Sequence, residues 1–438
     1  MWKDGNRAHT HQNLVHVLED KMRNNRFIVG AALIAALSFG GVVAAQDAVT
    51  LQVWTGSSSP AENEAKEAQF AAFQEANPDI ALEVLISPDY GTQVQAAFAS
   101  GDYPDVFTVG QFDLASLVES GLVMSADGRI ENADEIFPSL LSAFTVGDTV
   151  YCPPKDFSTL AVLYNKDHFA AAGVAEPTGD WTWEDMAAAA QAVTDADITT
   201  ADGVDVLGFS AAADRNRWMA FLYGNGANLM DADGNVTWNS PEAVAALDFY
   251  ASFVANGTGA IPANLGGAGW NGEAFGRGLA AMTIEGNWAI GYLASDFPEL
   301  NWGVVEIPVS PTGNRGTLTF TECWAVGANT EYPEQAWTLV NFLTGTEGAM
   351  TVATSGFGVM PARSNAVDSW LETRGEEYAA FVNGAEYAVA PVFPIGFGDF
   401  TAVVDEGTVD VMNGDAEAQE VMDEAAEIAA EIAAEMGM

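Results

Sequence analysis

The stretch of this sequence that best combines a flat aromatic ring with planar polar groups runs from Leu279 to Leu293. Leu279–Ile284 is a short apolar run suited to a buried strand, Glu285-Gly286-Asn287 breaks it, and Trp288 opens a helical pattern. A glycine at a strand end lets the backbone come close to a ligand, and the tryptophan after it offers a flat apolar face. Core packing is the competing reading for any tryptophan.

Other chemistries are narrowed by what the chain lacks. Beyond residue 45, His168 is the only histidine. A histidine-based zinc site or a Ser-His-Asp triad would have to depend on it. It sits in Asn165-Lys166-Asp167-His168-Phe169, which reads as a solvated strand-to-helix junction. Gly224-Asn225-Gly226 and Gly266-Gly267-Ala268-Gly269 lack the lysine or the strand-helix context of a phosphate loop. No metal and no cofactor are expected. A pair of carboxylates of glycosidase type could always be proposed, but with 61 acidic residues finding two carries no information.

Charge sets a further limit. The 15 basic residues leave a formal net charge of −46, and five of them lie in residues 1–45, so the remainder is more acidic still. Such a surface repels nucleic-acid phosphates and anionic lipid. The 49% hydrophobic content argues for a packed protein, not a disordered one. Acid excess with few lysines fits a high-salt habitat, where cations screen self-repulsion.

The N-terminal end reads as an export signal. Arg23 and Arg26 precede the apolar run Phe27–Val43, and Val43-Ala44-Ala45 supplies small residues for cleavage near Ala45. A retained anchor is the alternative, since the run nears the minimum for a membrane span. Met22 makes a more ordinary start, which would leave 1–21 as an extension. The location expected is periplasmic or extracellular. Cys152 and Cys323 are the two cysteines, and in an exported chain they either pair or stay as buried thiols.

The elements that position these residues alternate between strand and helix. Val49–Trp54, Ala81–Leu85 and Asp105–Val109 read as strands, with helices between them carrying Ala65, Phe70 and Phe73, and then Tyr90–Ser100. This βαβαβ opening implies an α/β fold with a mostly parallel sheet and ligands at the carboxyl ends of its strands. Thr182 reads as the N-cap of a long helix opening at Trp183, with Glu184 and Asp185 at its positive end. Val421, Ala425, Ile428, Ile432 and Met436 form a packing stripe at helical spacing. Without repeats or a low-complexity linker, the length implies two lobes whose chain passes between them more than once.

The order of short motifs resembles the extracellular solute-binding proteins of ABC importers, of the sugar-binding type related to maltose-binding protein. The resemblance rests on Val53-Trp54-Thr55, Pro104-Asp105-Val106-Phe107, Gly121-Leu122-Val123 and Pro154-Lys155-Asp156 with Leu163-Tyr164-Asn165-Lys166-Asp167. It continues through Trp181–Met186, Gly278–Trp288, Glu334-Gln335-Ala336-Trp337 with Phe342-Leu343-Thr344, and Met360-Pro361-Ala362-Arg363. It implies a two-lobed, hinged fold that closes on a ligand in the interlobe cleft, has no catalysis of its own, and delivers cargo to a membrane permease. The expected lobes are 46–155 plus 323–363, and 156–322 plus 364–438, in a monomer. Cys152 and Cys323 would then lie on neighbouring crossings, at positions where the family more often has small or aliphatic residues.

A neutral sugar is held by stacking its CH faces on aromatic rings and by planar side chains that bond pairs of hydroxyls. Candidates at strand ends and cleft loops are Trp54, Gln111, Asp113, Lys155, Asp156, Trp218, Trp270, Asn271, Gly286, Trp288, Glu322, Trp324 and Arg363. Trp288 leads, followed by Trp54 and Trp270, and Phe397 and Phe400 offer a further stacking face. Trp302 and Trp337 read as core. Few basic residues are placed to hold a phosphate, so a neutral mono- or oligosaccharide or a polyol is expected. A polyamine or other amine, held by carboxylates around an aromatic box, is the alternative cargo. A secreted glycoside-active enzyme is the remaining class, and it would need two facing carboxylates roughly 5–9.5 Å apart.

Overall fold

Apolar runs of the N-terminal region fold as the expected βαβαβ unit. β1 (Val49–Gly56), β2 (Ile80–Ser87) and β3 (Val106–Gly110) are joined by α1 (Pro60–Ala76) and α2 (Tyr90–Ser100). β1 pairs in parallel with both other strands. α1 begins where the Ser59 hydroxyl accepts the Glu62 amide and Pro60 fills the first turn. α2 ends at Gly101, whose φ of 77° lies in the left-handed region that favours glycine. The computed structural model describes residues 49–57, 59–230, 236–391 and 398–436. The leader reading for 1–45 and the stacking role given to Phe397 lie outside the described residues.

Next come α3 (Leu114–Glu119), α4 (Pro138–Ser142) and a small hairpin of β4 (Thr145–Val146) and β5 (Thr149–Val150). The long β6 (Pro154–Asn165) leads into α5 (Lys166–Ala172), α6 (Trp183–Asp195), β7 (Leu207–Ser210), α7 (Arg215–Gly224) and α8 (Pro241–Ala255). β8 (Gly259–Ala260), α9 (Asn271–Gly276), β9 (Ala280–Gly286), α10 (Trp288–Asp296), β10 (Trp302–Val305) and β11 (Thr317–Val326) follow. The C-terminal part holds α11 (Pro333–Thr344), α12 (Thr346–Ala353), α13 (Val367–Arg374), α14 (Ala379–Gly384), β12 (Ala388–Val389), α15 (Gly398–Asn413) and α16 (Ala418–Met436). Among the described residues no helix is long and apolar enough to cross a membrane.

Local signals were reliable where they were strong. Thr182 caps α6 in a reciprocal box with Asp185, each accepting from the other's backbone. In α16, Val421, Ala425 and Ala429 are buried, while Ile428 and Ile432 pack against the same core from its edge. His168 is half-buried in α5, and burial lowers its pKa, so it is less solvated than its polar neighbours suggest.

The main sheet runs β2-β1-β3-β11-β6-β9-β7-β8, with β10 on β6 and β12 on β11. β6 and β11 join its two halves. β11 pairs antiparallel with β3 through Glu322–Val326 and with β6 through Thr319–Cys323. β6 then pairs with β9 through Leu160–Tyr164. Separate cores lie on either side of this junction. One packs Leu51, Val53, Phe70 and Phe73 with Trp337 and Val340. Another packs Phe209, Phe221 and Tyr250 with Met422 and Ala425. Cys152 and Cys323 are joined as a disulfide with a Cα–Cα distance of 5.6 Å. It ties the entry to β6 to the β-bulge at Glu322/Cys323.

Candidate functional site

At this junction the strand ends leave a cavity of about 480 Å³. Gly56 and Ser57 come from the end of β1, Gly110, Gln111 and Phe112 from the end of β3, and Trp288 from the first turn of α10, just after β9. Lys155–Ser158 of β6 and Phe320–Glu322 of β11 form its floor, and Phe357 and Val359 close one side. Strand carboxyl ends at a change of sheet order are where open α/β sheets bind ligands. The volume falls in the roughly 300–1,000 Å³ range of small-molecule sites.

Two ammonium groups organise the polar wall. Lys155 Nζ lies 2.6 Å from Asp156 Oδ2 and 3.3 Å from Glu322 Oε2. Burial alone would lower the Lys155 pKa, but the Asp156 and Glu322 carboxylates outweigh it and hold it raised. Lys66, on α1, is buried and donates to Glu62 Oε1 at 2.6 Å, the Gly56 carbonyl at 2.6 Å and Thr55 Oγ1 at 3.1 Å. All three of its donors are therefore used within the protein. Gln111 is buried and donates to the Thr319 carbonyl at 2.9 Å, which ties β3 to β11.

The aromatic wall centres on Trp288. Its indole Nε1 donates to Glu285 Oε2 at 2.9 Å, and Arg217 Nη2 donates to both Glu285 oxygens at 3.1 and 3.0 Å. The Arg217 guanidinium lies 5.7 Å from the Trp288 ring centroid, and Phe320 meets the ring edge-on at 5.4 Å. Burial raises the Glu285 pKa, opposed by the Arg217 charge and these hydrogen bonds. Gly286 has a different role from the one expected of it. A Cβ there would stand 2.1 Å from Trp288 and 2.4 Å from Ser158 Oγ, so the glycine makes room for the indole instead of for a ligand's approach.

Of the sequence candidates, Gln111, Lys155, Asp156, Trp288 and Glu322 line the cavity together. Asp113 stands just outside on an exposed turn, where partial desolvation and then the nearby Glu322 charge raise its pKa. The others are placed elsewhere, each for a packing reason. Trp54 is half-buried and packs against the cluster that holds Phe107 and Cys152. Trp218 is fully buried, and its indole N–H donates to Thr408 of α15. Trp324 is buried edge-on against Phe70, 5.9 Å away. Trp270 folds against Tyr292 at 5.0 Å and over Gly272 of its own helix. Asn271 accepts the Ser210 hydroxyl and so ties α9 to β7. Arg363 is a buried clip, donating to the carbonyls of Glu131, Asn132 and Thr344 and to Glu135. Phe400 is core, packed against Trp238 at 5.2 Å.

Glu62, Lys66, Ser158, Phe320 and Phe357 were not among the candidates. The signal for the first two was present. Glu62, Lys66, Gln69, Phe70 and Phe73 share the buried face of α1 at helical spacing.

Residues 68–380 match the sequence profile of the bacterial extracellular solute-binding proteins. The chain belongs to that family. A Brucella abortus relative described as a binding protein is 25% identical to this solute-binding protein over 409 residues, 90% of this chain and 96% of its own. The multiple sugar-binding protein of Streptococcus mutans is 23% identical over 293 residues, 62% of this chain and 66% of that one. Among solved structures, an ABC substrate-binding protein of Listeria monocytogenes in complex with cycloalternan aligns with a TM-score of 0.78. Its identity is 24%, over 90% of this chain and 100% of that one. The GacH receptor of Streptomyces glaucescens, solved unliganded and with acarbose, gives 0.75 at 20% identity, over 87% and 97%. These likenesses establish the two-lobed α/β fold of periplasmic binding proteins for this solute-binding protein.

Proposed function

We propose that this solute-binding protein captures a neutral carbohydrate or polyol in the junction cavity and delivers it to the permease of an ABC importer. The observation that carries the reading is the pairing of charges beside an aromatic wall. Lys66 and Lys155 each hold a carboxylate, so the polar wall offers dipoles and partly used carboxylate oxygens to hydroxyls. Trp288, Phe320 and Phe357 supply apolar surface for the CH faces of a sugar ring. The names of the Streptococcus and Listeria relatives point to the same class.

An amine would need carboxylates without partners facing the rings, and Glu62 and Asp156 are committed to lysines while Glu322 shares Lys155. A phosphate ester would need an uncompensated cation, and the donors of Lys66 are used while Lys155 faces the two carboxylates of Asp156 and Glu322. The protein acts by capture alone, without catalysis. Residues 46–155 plus 323–363 and residues 156–322 plus 364–438 serve as the two lobes of a monomer, with β6 and β11 as the crossings. Ligand contacts both lobes in the closed form and shifts the population toward it. The protein works outside the cytoplasmic membrane, with its leader cleaved near Ala45.

A thermal-shift screen in high salt tests this against mono- and oligosaccharides, polyols, sugar phosphates and polyamines. Stabilisation by one neutral sugar or polyol family is the expected result. Stabilisation by polyamines alone, or by sugar phosphates alone, overturns the cargo class.

A further inference from the structure

We propose that Glu285 is a positioning residue for ligand capture: it holds the Trp288 indole in its cavity orientation, and Arg217 holds Glu285. The inference rests on the cavity being the ligand site. Glu285 is the next-to-last residue of a strand that is buried throughout, and it is 1% exposed. A carboxylate this far from water persists only where its partners replace the hydration it has lost. Arg217 alone would neutralise the charge. The indole N–H adds something else, a fixed rotation of the Trp288 ring about its own bonds.

The ring is also constrained elsewhere. Arg217 lies against one face, Phe320 meets the ring at an interplanar angle of 88°, and Gly286 clears the space beneath it. Arg217 is steadied in turn by its helix, since neighbouring Trp218 donates to Thr408 and Arg215 pairs with Asp405 of α15. What remains of the indole lines the cavity. A ring already fixed in its bound orientation gives up no rotamer freedom when a sugar stacks on it, and that saving appears as affinity.

The test compares Arg217→Met/Glu285→Gln with Arg217→Met/Glu285→Met in the full-length protein. Both remove the ion pair without stranding a buried charge, and only the first keeps an acceptor for the indole N–H. With 15N-labelled tryptophan, the Trp288 indole signal is assigned by its loss in Trp288→Phe, and its exchange with deuterium is timed. Exchange should be about tenfold or more faster in the Met/Met variant than in wild type, with the Met/Gln variant nearer wild type.

Affinity for maltotriose and mannotriose, and for any neutral sugar returned by the screen, should fall in the same order. Equal exchange in all three proteins overturns the inference. So does equal affinity where Trp288→Ala itself loses about tenfold or more. Unchanged affinity in Trp288→Ala instead removes the cavity as the ligand site, and the exchange comparison still decides whether Glu285 fixes the ring. If a double variant does not fold, the wild-type signal decides: a Trp288 indole proton that exchanges as fast as free tryptophan overturns the proposal.

Discussion

Trp288 and Gly286 occupy space that only one of them can fill: a Cβ on residue 286 would lie 2.1 Å from the indole. Gly286→Ala therefore has to push the ring off Glu285 or distort β9. Overpacking of this kind costs about 1–3 kcal/mol of stability. The larger effect is expected on affinity, about tenfold weaker or more, equivalent to about 1.4 kcal/mol. Calorimetric titration beside a denaturant curve separates the two. Wild-type affinity in Gly286→Ala would mean that the ring position does not matter to the ligand.

The disulfide should contribute a measurable share of stability. Cys152 and Cys323 are both fully buried and 171 residues apart, so breaking their link frees a long loop in the unfolded chain. Replacing both by alanine should lower the unfolding free energy by about 2–4 kcal/mol. Burial also means that added reductant acts slowly on the folded protein, so the variant is the cleaner comparison. A denaturant midpoint identical to that of the oxidised wild type would refute the expectation.

Lys66 is a buried cation whose loss the fold should tolerate poorly. Its side chain and that of Glu62 are 4% and 7% exposed. Lys66→Met leaves a carboxylate and the Gly56 carbonyl without their shared donor, at a cost of about 3–5 kcal/mol. The double variant Lys66→Met/Glu62→Met should recover most of that loss. Chemical denaturation of the two variants checks the order, and equal stability of single and double variants contradicts it.

Asp113 gives a pH signature. Partial desolvation first, and then the Glu322 charge, raise the pKa of this exposed carboxyl in the folded protein. The unfolded chain gives up this proton first, near the ordinary value of about 3.9. Stability therefore falls as pH rises from there through the raised native value, and the loss is complete above it. Asp113→Asn should be more stable than wild type at neutral pH and nearly equal to it near the acid end of that window. Urea midpoints at the two pH values test this, and a difference that does not change with pH counts against it.

Much of the fold could be read from local pattern. Tyr90–Ser100 begins and ends where its sequence predicts, because Gly101 stops it with a positive φ. The cap of α6 at Thr182 is equally local. Strand ends carrying polar residues placed Gln111, Lys155, Asp156 and Glu322 together at the candidate cavity. Of the tryptophans, Trp288 lines the cavity, whereas Trp218, Trp270 and Trp324 pack elsewhere. Trp218 is core because its N–H finds Thr408, 190 residues along the chain, and no periodicity records such a partner. Arg363 looked like a ligand-binding guanidinium, yet its donors are spent on the backbone of residues 131, 132 and 344. Lys66 was not singled out from the sequence, although its spacing with Phe70 and Phe73 puts it on the buried face of α1.

The bond between Cys152 and Cys323 also makes the segment between them a closed ring. That ring carries β6, β9 and most of β11, together with Trp288 and the Arg217–Glu285 pair. One cut by a protease in its surface turns, such as the turn near Asp202, would open the ring without dividing the molecule. Both new ends would stay tethered through sulfur to the strands beneath the cavity. For a protein that works outside the cell's own repair machinery, a single nick there need not end its working life.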